Sequence, residues 1–238
     1  MKTIMITGAA SGVGKEIANV FKNERLILID RNKEKLEKVI SELNCCGYIV
    51  DVSDTASVRS MFESASKEFD KIDVLINCAG LWTKGELSKH NEEYFDKLNT
   101  LERIKDIIDT NTFGVISMIK GILPIMKKQG YGQIININSQ SGVVVEEFCP
   151  VYNASKTGSR AFTKAILTDL AKQNIRLTDI CPGLIDTDFY NNANDPLPKE
   201  IMNLGLKPID VANLVKYIIE LPNNISLPCV EIKDIKNY

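Results

Sequence analysis

The sequence predicts an α/β fold of the doubly wound kind, a mostly parallel sheet with helices on both faces. Three observations carry that expectation. Short β-branched runs alternate with helical patterns along the chain. The runs are apolar at successive positions, as strands buried on both faces must be. The joints between runs and helices are mostly short, which favours strand–helix–strand units over separate sheets and bundles.

The strand candidates are Thr3–Thr7, Leu26–Ile29, Tyr48–Val50, Val74–Ile76, Gln133–Asn138, Ile175–Ile180 and Val230–Ile232. Helices are expected near 13–22, 33–43, 55–69, 104–127, 151–172 and 209–220. Two stretches interrupt the rhythm. Residues 82–103 are polar and longer than a strand-to-helix joint needs. Residues 186–207 contain Asn191, Asn192, Asn194, Pro196 and Pro198, which break regular structure. Both follow strands, so both are expected over the edge of the sheet where ligands of open α/β sheets bind. The second is read as a substrate lid, because long ordered loops in compact domains are usually functional.

The chain has 238 residues, 44% hydrophobic and 25% charged. That suits one domain over 1–238, large enough for its own core. The formal net charge of -2 gives no general argument for nucleic acid or an acidic membrane as partner. Cys45, Cys46, Cys78, Cys149, Cys181 and Cys229 show no paired ligand spacing, and His90 has no ligand partner nearby in sequence. No metal is expected. The thiols suit a reducing, cytoplasmic setting. No signal peptide is read at the start, and no apolar run approaches the ~18 residues of a membrane span.

The first strand runs into Thr7-Gly8-Ala9-Ala10-Ser11-Gly12-Val13-Gly14, after which a helix begins. Glycines at 8, 12 and 14 permit a tight turn and close approach of backbone to a pyrophosphate. The helix N-terminus offers unpaired N–H groups and a positive dipole end. Asp30 ends the second strand, where a carboxylate can bind adenosine ribose hydroxyls. Asp51 and Val52 end the third and suit an adenine edge. Asn77, Ala79 and Gly80 follow the fourth, where small residues let a cofactor lie on the backbone.

Tyr152 and Lys156 stand at i and i+4, on one face of a helix. A phenol near pKa 10 is a poor proton carrier at neutral pH, and a nearby ammonium is expected to lower that value. Ser139, at the end of the fifth strand, can donate to a carbonyl oxygen as charge develops on it. Asn111, within the expected helix 104–127, is either a tolerated polar residue or the holder of a water that relays protons from Lys156. After the sixth strand, Pro182, Gly183, Ile185 and Thr187 can fix a carboxamide.

With these residues in order, the chain resembles the short-chain dehydrogenase/reductase family, most clearly from Lys2 to Thr187. The resemblance implies a Rossmann-type sheet of seven strands and a catalytic group here consisting of Asn111, Ser139, Tyr152 and Lys156. It implies hydride transfer between a nicotinamide and a carbonyl or alcohol, with Tyr152 as general acid/base. Departures are Cys78 for a usual asparagine, Asn138 for a usual serine, a longer segment before Asn111, and no Asp-Gly-Gly ending. The ending resembles the branch acting on small hydroxy acids and carbonyls.

The cofactor expected is NAD rather than NADP, because Asp30 would repel a 2′-phosphate and Ser11 stands where a basic residue often marks NADP. Arg31 is counter-evidence, read as stacking on adenine. The expected substrate wall is Gln140, Ser141, Phe148, Leu184, Phe189 and Tyr190, with Trp82 possible. An acyl-carrier-protein reductase is the alternative. Its entrance arginines are replaced by Gly130 and Gln173, although Lys127, Lys128 and Lys172 lie near. A non-catalytic cofactor sensor is the reading from another class. Apolar Ile116, Ile119, Phe162, Ile166 and Leu170 suggest a homodimer or homotetramer joined through two helices from each subunit.

Overall fold

The computed structural model describes residues 1–82, 100–146, 149–191 and 197–237. Its centre is a seven-stranded sheet: β1 (Thr3–Thr7), β2 (Arg25–Asp30), β3 (Cys46–Ile49), β4 (Val74–Asn77), β5 (Gly132–Ile137), β6 (Ile175–Pro182) and β7 (Cys229–Ile232). The order is β3-β2-β1-β4-β5-β6-β7, and every neighbouring pair is parallel.

Side chains alternate across each strand, so the sheet buries two cores. Ile4, Ile6, Leu26 and Leu28 point to one face. They meet Ile17 of α1 (Gly12–Val20), Leu36 of α2 (Lys33–Leu43), and Val211 and Val215 of α8 (Pro208–Glu220). Met5, Ile27 and Ile29 point to the other. There they meet Val58 and Phe62 of α3 (Thr55–Glu68), Met118 and Ile122 of α5 (Gly114–Gln129), and Leu170 of α6 (Pro150–Ala171). Truncating one of these fully buried side chains, Ile27→Ala for example, costs about 2–5 kcal/mol.

Several expectations need correction. The helix expected at 104–127 is two: α4 (Leu101–Ile108) and α5, joined by a π-helical turn over Asp109–Phe113. The third strand begins at Cys46 and ends at Ile49, short of Asp51. It and β7 are edge strands with exposed positions, not strands buried on both faces. Ile119 and Leu170 belong to the core, which leaves Ile116, Phe162 and Ile166 half-buried along the α5–α6 surface. Phe148, His90, residues 83–99 and residues 192–196 lie outside the described residues. The described part of 186–207 contains one short helix, α7 (Lys199–Met202). Among the described residues, no helix is long and apolar enough to cross a membrane, and no cluster of possible metal ligands occurs.

The chain passes β1, β2 and β3 in one direction, then returns to place β4 on the other side of β1. That reversal opens a crevice at the carboxyl ends of β1 and β4.

Candidate active site

The loop after β1 forms the floor of this crevice. Gly8 has φ +65 and Gly12 φ +51, values that L side chains rarely adopt. A Cβ on Gly8 would stand 2.8 Å from Ala79 backbone atoms, and one on Gly14 would stand 2.2 Å from the Gly8 carbonyl oxygen. The loop is tied to the next strand by Thr7 Oγ1, which accepts from Cys78 N (3.0 Å) and Ala79 N (3.1 Å). Ser11 caps α1 by position, but its side chain makes no capping bond. The first-turn N–H groups of α1 are therefore not claimed by that hydroxyl, and the loop suits a phosphate anion.

Asp30 sits at the end of β2. Its carboxylate accepts from Ala10 N (3.1 Å) and Asn32 N (2.9 Å), which fixes it against the glycine loop. Arg31 Nη1 lies 3.4 Å from Asp51 Oδ2. Asp51 and Val52 lie past the end of β3 rather than at it, and line the same cleft.

Tyr152 and Lys156 share α6 and are both buried, at 6% and 5% exposure. Lys156 Nζ donates to Ile137 O at 3.3 Å and stands 5.6 Å from the centre of the Tyr152 ring. The expectation that lysine depresses the phenol pKa is not met. Burial dominates and raises Tyr152 well above the ordinary phenol value; the neighbouring Tyr190 adds to this, while the Ser139 hydroxyl acts against it. Burial also pulls Lys156 down to about 8, against the opposing influence of Cys78, Cys181 and Asp179. Ser139 follows β5, and its Oγ accepts from Ser141 N at 3.1 Å.

Asn111 lies in the π-helical turn, fully buried. Its Nδ2 donates to Leu81 O (2.9 Å) and Ser155 Oγ (3.0 Å), and its Oδ1 accepts from Leu81 N (2.8 Å). Both amide hydrogens are engaged, so a relay water would have only the second Oδ1 lone pair to use. In this arrangement Asn111 pins the Leu81 backbone to α6.

A buried polar chain under the site has no counterpart in the sequence reading. Asn77 Nδ2 donates to Asn136 Oδ1 (2.8 Å), Asn136 Nδ2 to Asp179 Oδ1 (2.9 Å), and Thr163 Oγ1 to Asp179 Oδ2 (2.6 Å). It crosses β4, β5 and β6 in register and ends on α6. Polar residues inside apolar strands were the signal available. Asn77, expected at the cofactor, faces this chain and does not line the cleft.

The cleft is about 730 Å³. Of the expected cofactor residues it brings together Gly8, Ser11, Gly12, Val13, Gly14, Asp30, Arg31, Asp51, Val52, Ala79, Gly80, Pro182, Gly183, Ile185 and Thr187. Ser139, Tyr152 and Lys156 line it too, with Gln140, Ser141, Leu184, Phe189, Tyr190 and Trp82. Gly80 keeps the middle open: a Cβ there would lie 3.4 Å from Asn111 Oδ1 and 3.8 Å from Lys156 Nζ. Across the floor, a Cβ on Gly12 would stand 3.6 Å from Thr187 Cγ2. Leu81, Glu146 and Asp188, on loops, and Arg103, on α4, line the cleft without having been singled out in the sequence, because tertiary placement brings them there. Gly130 and Gln173 lie far from it. They flank the N-terminal ends of β5 and β6, where Asn174 Nδ2 donates to Gly130 O at 3.1 Å.

A phosphate-suited loop at the reversal of a parallel sheet, opposite a buried tyrosine and lysine, defines a dinucleotide-dependent enzyme. The comparisons agree. A family model described as short chain dehydrogenase matches residues 2–198. An uncharacterized oxidoreductase of Staphylococcus aureus (strain MW2) is 29% identical over 239 residues, covering 98% of this chain and 97% of its own. Among solved structures, the closed form of serine dehydrogenase complexed with NADP+ is similar with a TM-score of 0.84 at 30% identity, covering 97% of this chain and 94% of that one. A 3-ketoacyl-(acyl-carrier-protein) reductase from Brucella melitensis complexed with NADH gives 0.85 at 26% identity, covering 100% and 98%. The chain belongs to the short-chain dehydrogenase family. It is a nicotinamide-dependent oxidoreductase of the carbonyl/alcohol kind.

Proposed function

We propose that the chain interconverts a secondary alcohol and its carbonyl, with Tyr152 as the general acid/base. The observation that carries this is the meeting of buried Tyr152, buried Lys156 and Ser139 on one cleft floored by the glycine loop. The loop fits a dinucleotide because Gly8 and Gly14 let it close tightly on Ala79 and on itself at the helix N-terminus, and Gly12 places no side chain toward Thr187 across the cleft floor. Asp30 would take the adenosine ribose, Val52 the adenine edge, Lys156 the second ribose, and Ile185 with Thr187 the carboxamide. When bound, the oxidised nicotinamide accepts the carbinol hydrogen with its electron pair, and the reduced form returns it.

The chain's own residues handle the proton. In oxidation Tyr152 takes the O–H proton as the carbonyl forms; in reduction it gives that proton back. Ser139 donates to the same oxygen as charge builds. Lys156, charged below about pH 8, favours the phenolate when the phenol ionises. Asn111 holds Leu81 and Ser155, and so the roof over Gly80 and the backbone of α6, in position. Tyr152→Phe is the test: loss of turnover with cofactor binding kept supports the reading, and turnover kept above about a tenth overturns it. The same variant discriminates a sensor, which would not change. An acyl-carrier-protein reductase draws on the Brucella similarity, but Gly130 and Gln173 offer no cation.

NAD is the cofactor we favour. The Asp30 carboxylate is held by two backbone N–H groups, and turning it away from a 2′-phosphate would break both. Most of the similar structures with a bound nucleotide hold NADP or NADPH and the Brucella reductase holds NADH, so the preference for NAD rests on these side chains alone and runs against that majority. We further propose one domain over 1–238, a lid at 186–207, and a cytoplasmic setting consistent with six free thiols. Half-buried Ile116, Phe162 and Ile166 support pairing of α5 and α6 with those of a second copy. A light-scattering mass of 26.5 kDa at micromolar concentration would exclude that pairing.

A further inference from the structure

The substrate half of the cleft contains one carboxylate whose role the hydride chemistry does not use. Glu146 lines the cleft beside Ser141 and Tyr152. Its backbone is fastened to α6: Asn153 Nδ2 donates to Glu146 O (2.5 Å), and Glu146 N donates to Asn153 Oδ1 (3.3 Å). Asn153 directly follows Tyr152, so the carboxylate is held in register with the proton-transfer group. Ser141 Oγ donates to Glu146 Oε2 at 2.5 Å, and Ser141 N donates to Ser139 Oγ at 3.1 Å. Ser141 thus bridges the two, its hydroxyl on Glu146 and its backbone N–H on Ser139, the group expected to hold the reacting oxygen.

Glu146 makes no ion pair among the described residues. Lys35 stands at the far end of the cleft, beside Arg31 and Asn32 past the second strand, and the other cleft cations are engaged elsewhere. Arg31 pairs with Asp51, Lys156 donates to Ile137 O, and Arg103 Nη2 donates to Trp82 O at 2.6 Å. Asp188, exposed at the rim, adds a second negative charge. Facing Glu146 is an aromatic cluster. The Trp82 and Tyr190 rings lie 5.0 Å apart edge to face, Trp82 and Tyr152 4.6 Å, and Phe189 and Tyr190 5.8 Å. All four rings line the cleft, so together they form an aromatic wall beside Glu146. The Glu146 charge is near enough to act on both Tyr152 and Tyr190, although burial is the larger influence on each.

A carboxylate with no ion-pair partner among the described residues and an aromatic wall attract the same kind of partner, an organic cation. A hydroxyl-to-carboxylate bond of the Ser141 kind orients the acid but leaves its charge in place. An anionic substrate would meet like charge at Glu146 and Asp188. We infer that the substrate carries a protonated amine close to its carbinol or carbonyl carbon, held by Glu146 against the rings of Trp82 and Tyr190. This rests on the dehydrogenase reading of the same cleft. The amine takes no part in the redox change; it stays protonated and orients the carbinol toward Ser139 and Tyr152.

The test is a charge series on one skeleton: 1-amino-2-propanol, 2-butanol and 3-hydroxybutyrate, oxidised at pH 7.5 with the preferred nicotinamide cofactor. The expected order of kcat/KM is cation, neutral, anion, with at least about tenfold between the first two. Glu146→Gln should shrink the amine-to-neutral ratio by about tenfold or more. Any harm the substitution does to all three alike cancels in that ratio, and Glu146→Ala serves if the glutamine variant is unstable. Calorimetric binding of 1-amino-2-propanol to the cofactor-loaded protein is read beside turnover. NADH or NADPH formed without charge preference, or a ratio unchanged by both variants, overturns the amine and leaves the dehydrogenase. Amine binding lost in Glu146→Gln with no reduced cofactor from any of the three supports the amine site and counts against the dehydrogenase. Absence of both binding and turnover of the amine overturns the proposal.

Discussion

The two halves of the cleft are built by different means. The half under the glycine loop is made of backbone and strand ends: Gly8 packed on Ala79, Thr7 Oγ1 bridging β1 to β4, Asp30 held by Ala10 and Asn32. The other half is made of side chains on the loops after β4, β5 and β6: Trp82, Ser141, Glu146, Phe189 and Tyr190. Backbone-built recognition is a consequence of the fold, so it goes with the family. Side-chain-built recognition can change without disturbing the sheet, and that is where substrate choice resides.

The contrast breaks most sharply at the residue where the halves meet. Tyr152→Phe should lower kcat by about 10²–10⁴-fold, the range expected for loss of a positioned proton carrier. Cofactor affinity, set by the first half, should change by less than about threefold. Fluorescence titration with reduced cofactor beside steady-state turnover reads both. A parallel loss of binding would mean that the halves are not separable in this way.

The first half was legible in the sequence through its glycines, and of the second half Trp82, Ser141, Phe189 and Tyr190 were singled out and line the cleft, while Glu146 was not. A tight turn with positive φ at positions 8 and 12 requires glycine, so the loop announces itself. The two core faces followed from strands apolar at successive positions. Where the reading failed, tertiary contacts had overridden local pattern. Asp109-Thr110-Asn111-Thr112 contains no helix breaker, yet the helix turns π there as Asn111 reaches Leu81 and Ser155. Asn77 was read as cofactor-facing because it ends a strand, but its amide finds Asn136 instead. Glu146 has no periodic signature at all; only the bond to Asn153 places it. The sign of the Tyr152 shift was missed because burial, invisible in a motif, outweighs the nearby ammonium.

Lys156 sharpens the comparison through stability. Burial takes its pKa from 10.5 to about 8, so the fold disfavours the charged form. Its folded pKa lies below the unfolded one. Below about pH 8 the full penalty acts, and it is recovered as pH rises from about 8 to 10.5. Lys156→Met in the cofactor-free protein should therefore gain up to about 3 kcal/mol at pH 7, at 1.36 kcal/mol per unit. The gain should shrink toward pH 10. Urea melts at pH 7, 8.5 and 10 measure it, and a difference independent of pH would rule out the buried-charge explanation.

Asp30 tests the backbone-built half directly. Two unit charges ~4 Å apart interact by about 4 kcal/mol at an effective dielectric of 20, an upper limit for a half-buried carboxylate facing a 2′-phosphate. Solvent at the cleft mouth should reduce this to about ten- to hundredfold in kcat/KM. Wild type should prefer NADH over NADPH by about that factor, and Asp30→Ala should erase most of it. Preference for NADPH in the wild type would show instead that Arg31 leaves Asp51 and governs the site.

The smallest effect is expected at the segment proposed as a lid, where the side-chain-built half joins the sheet. Both ends of 186–207 are stapled together. Asp186 N donates to Leu206 O (2.8 Å), Leu206 N donates to Leu184 O (2.9 Å), and Lys207 Nζ pairs with Asp186 Oδ2 at 2.6 Å. The two backbone bonds lie beneath the ion pair, whose side chains are 54% and 37% exposed. Exposed pairs contribute about 0–1 kcal/mol, so Lys207→Ala should change kcat/KM by less than about threefold. Motion is expected inside the staple rather than at it, carried by the segment with Leu197 and Ile201 on the cleft. Hydrogen exchange followed by mass spectrometry should therefore show little change at Leu184 and Leu206 when cofactor and substrate bind. Residues 197–202 should become protected by about tenfold. Equal protection of 197–202 with and without ligands would mean that this stretch is a fixed wall and that the substrate enters past Trp82 instead.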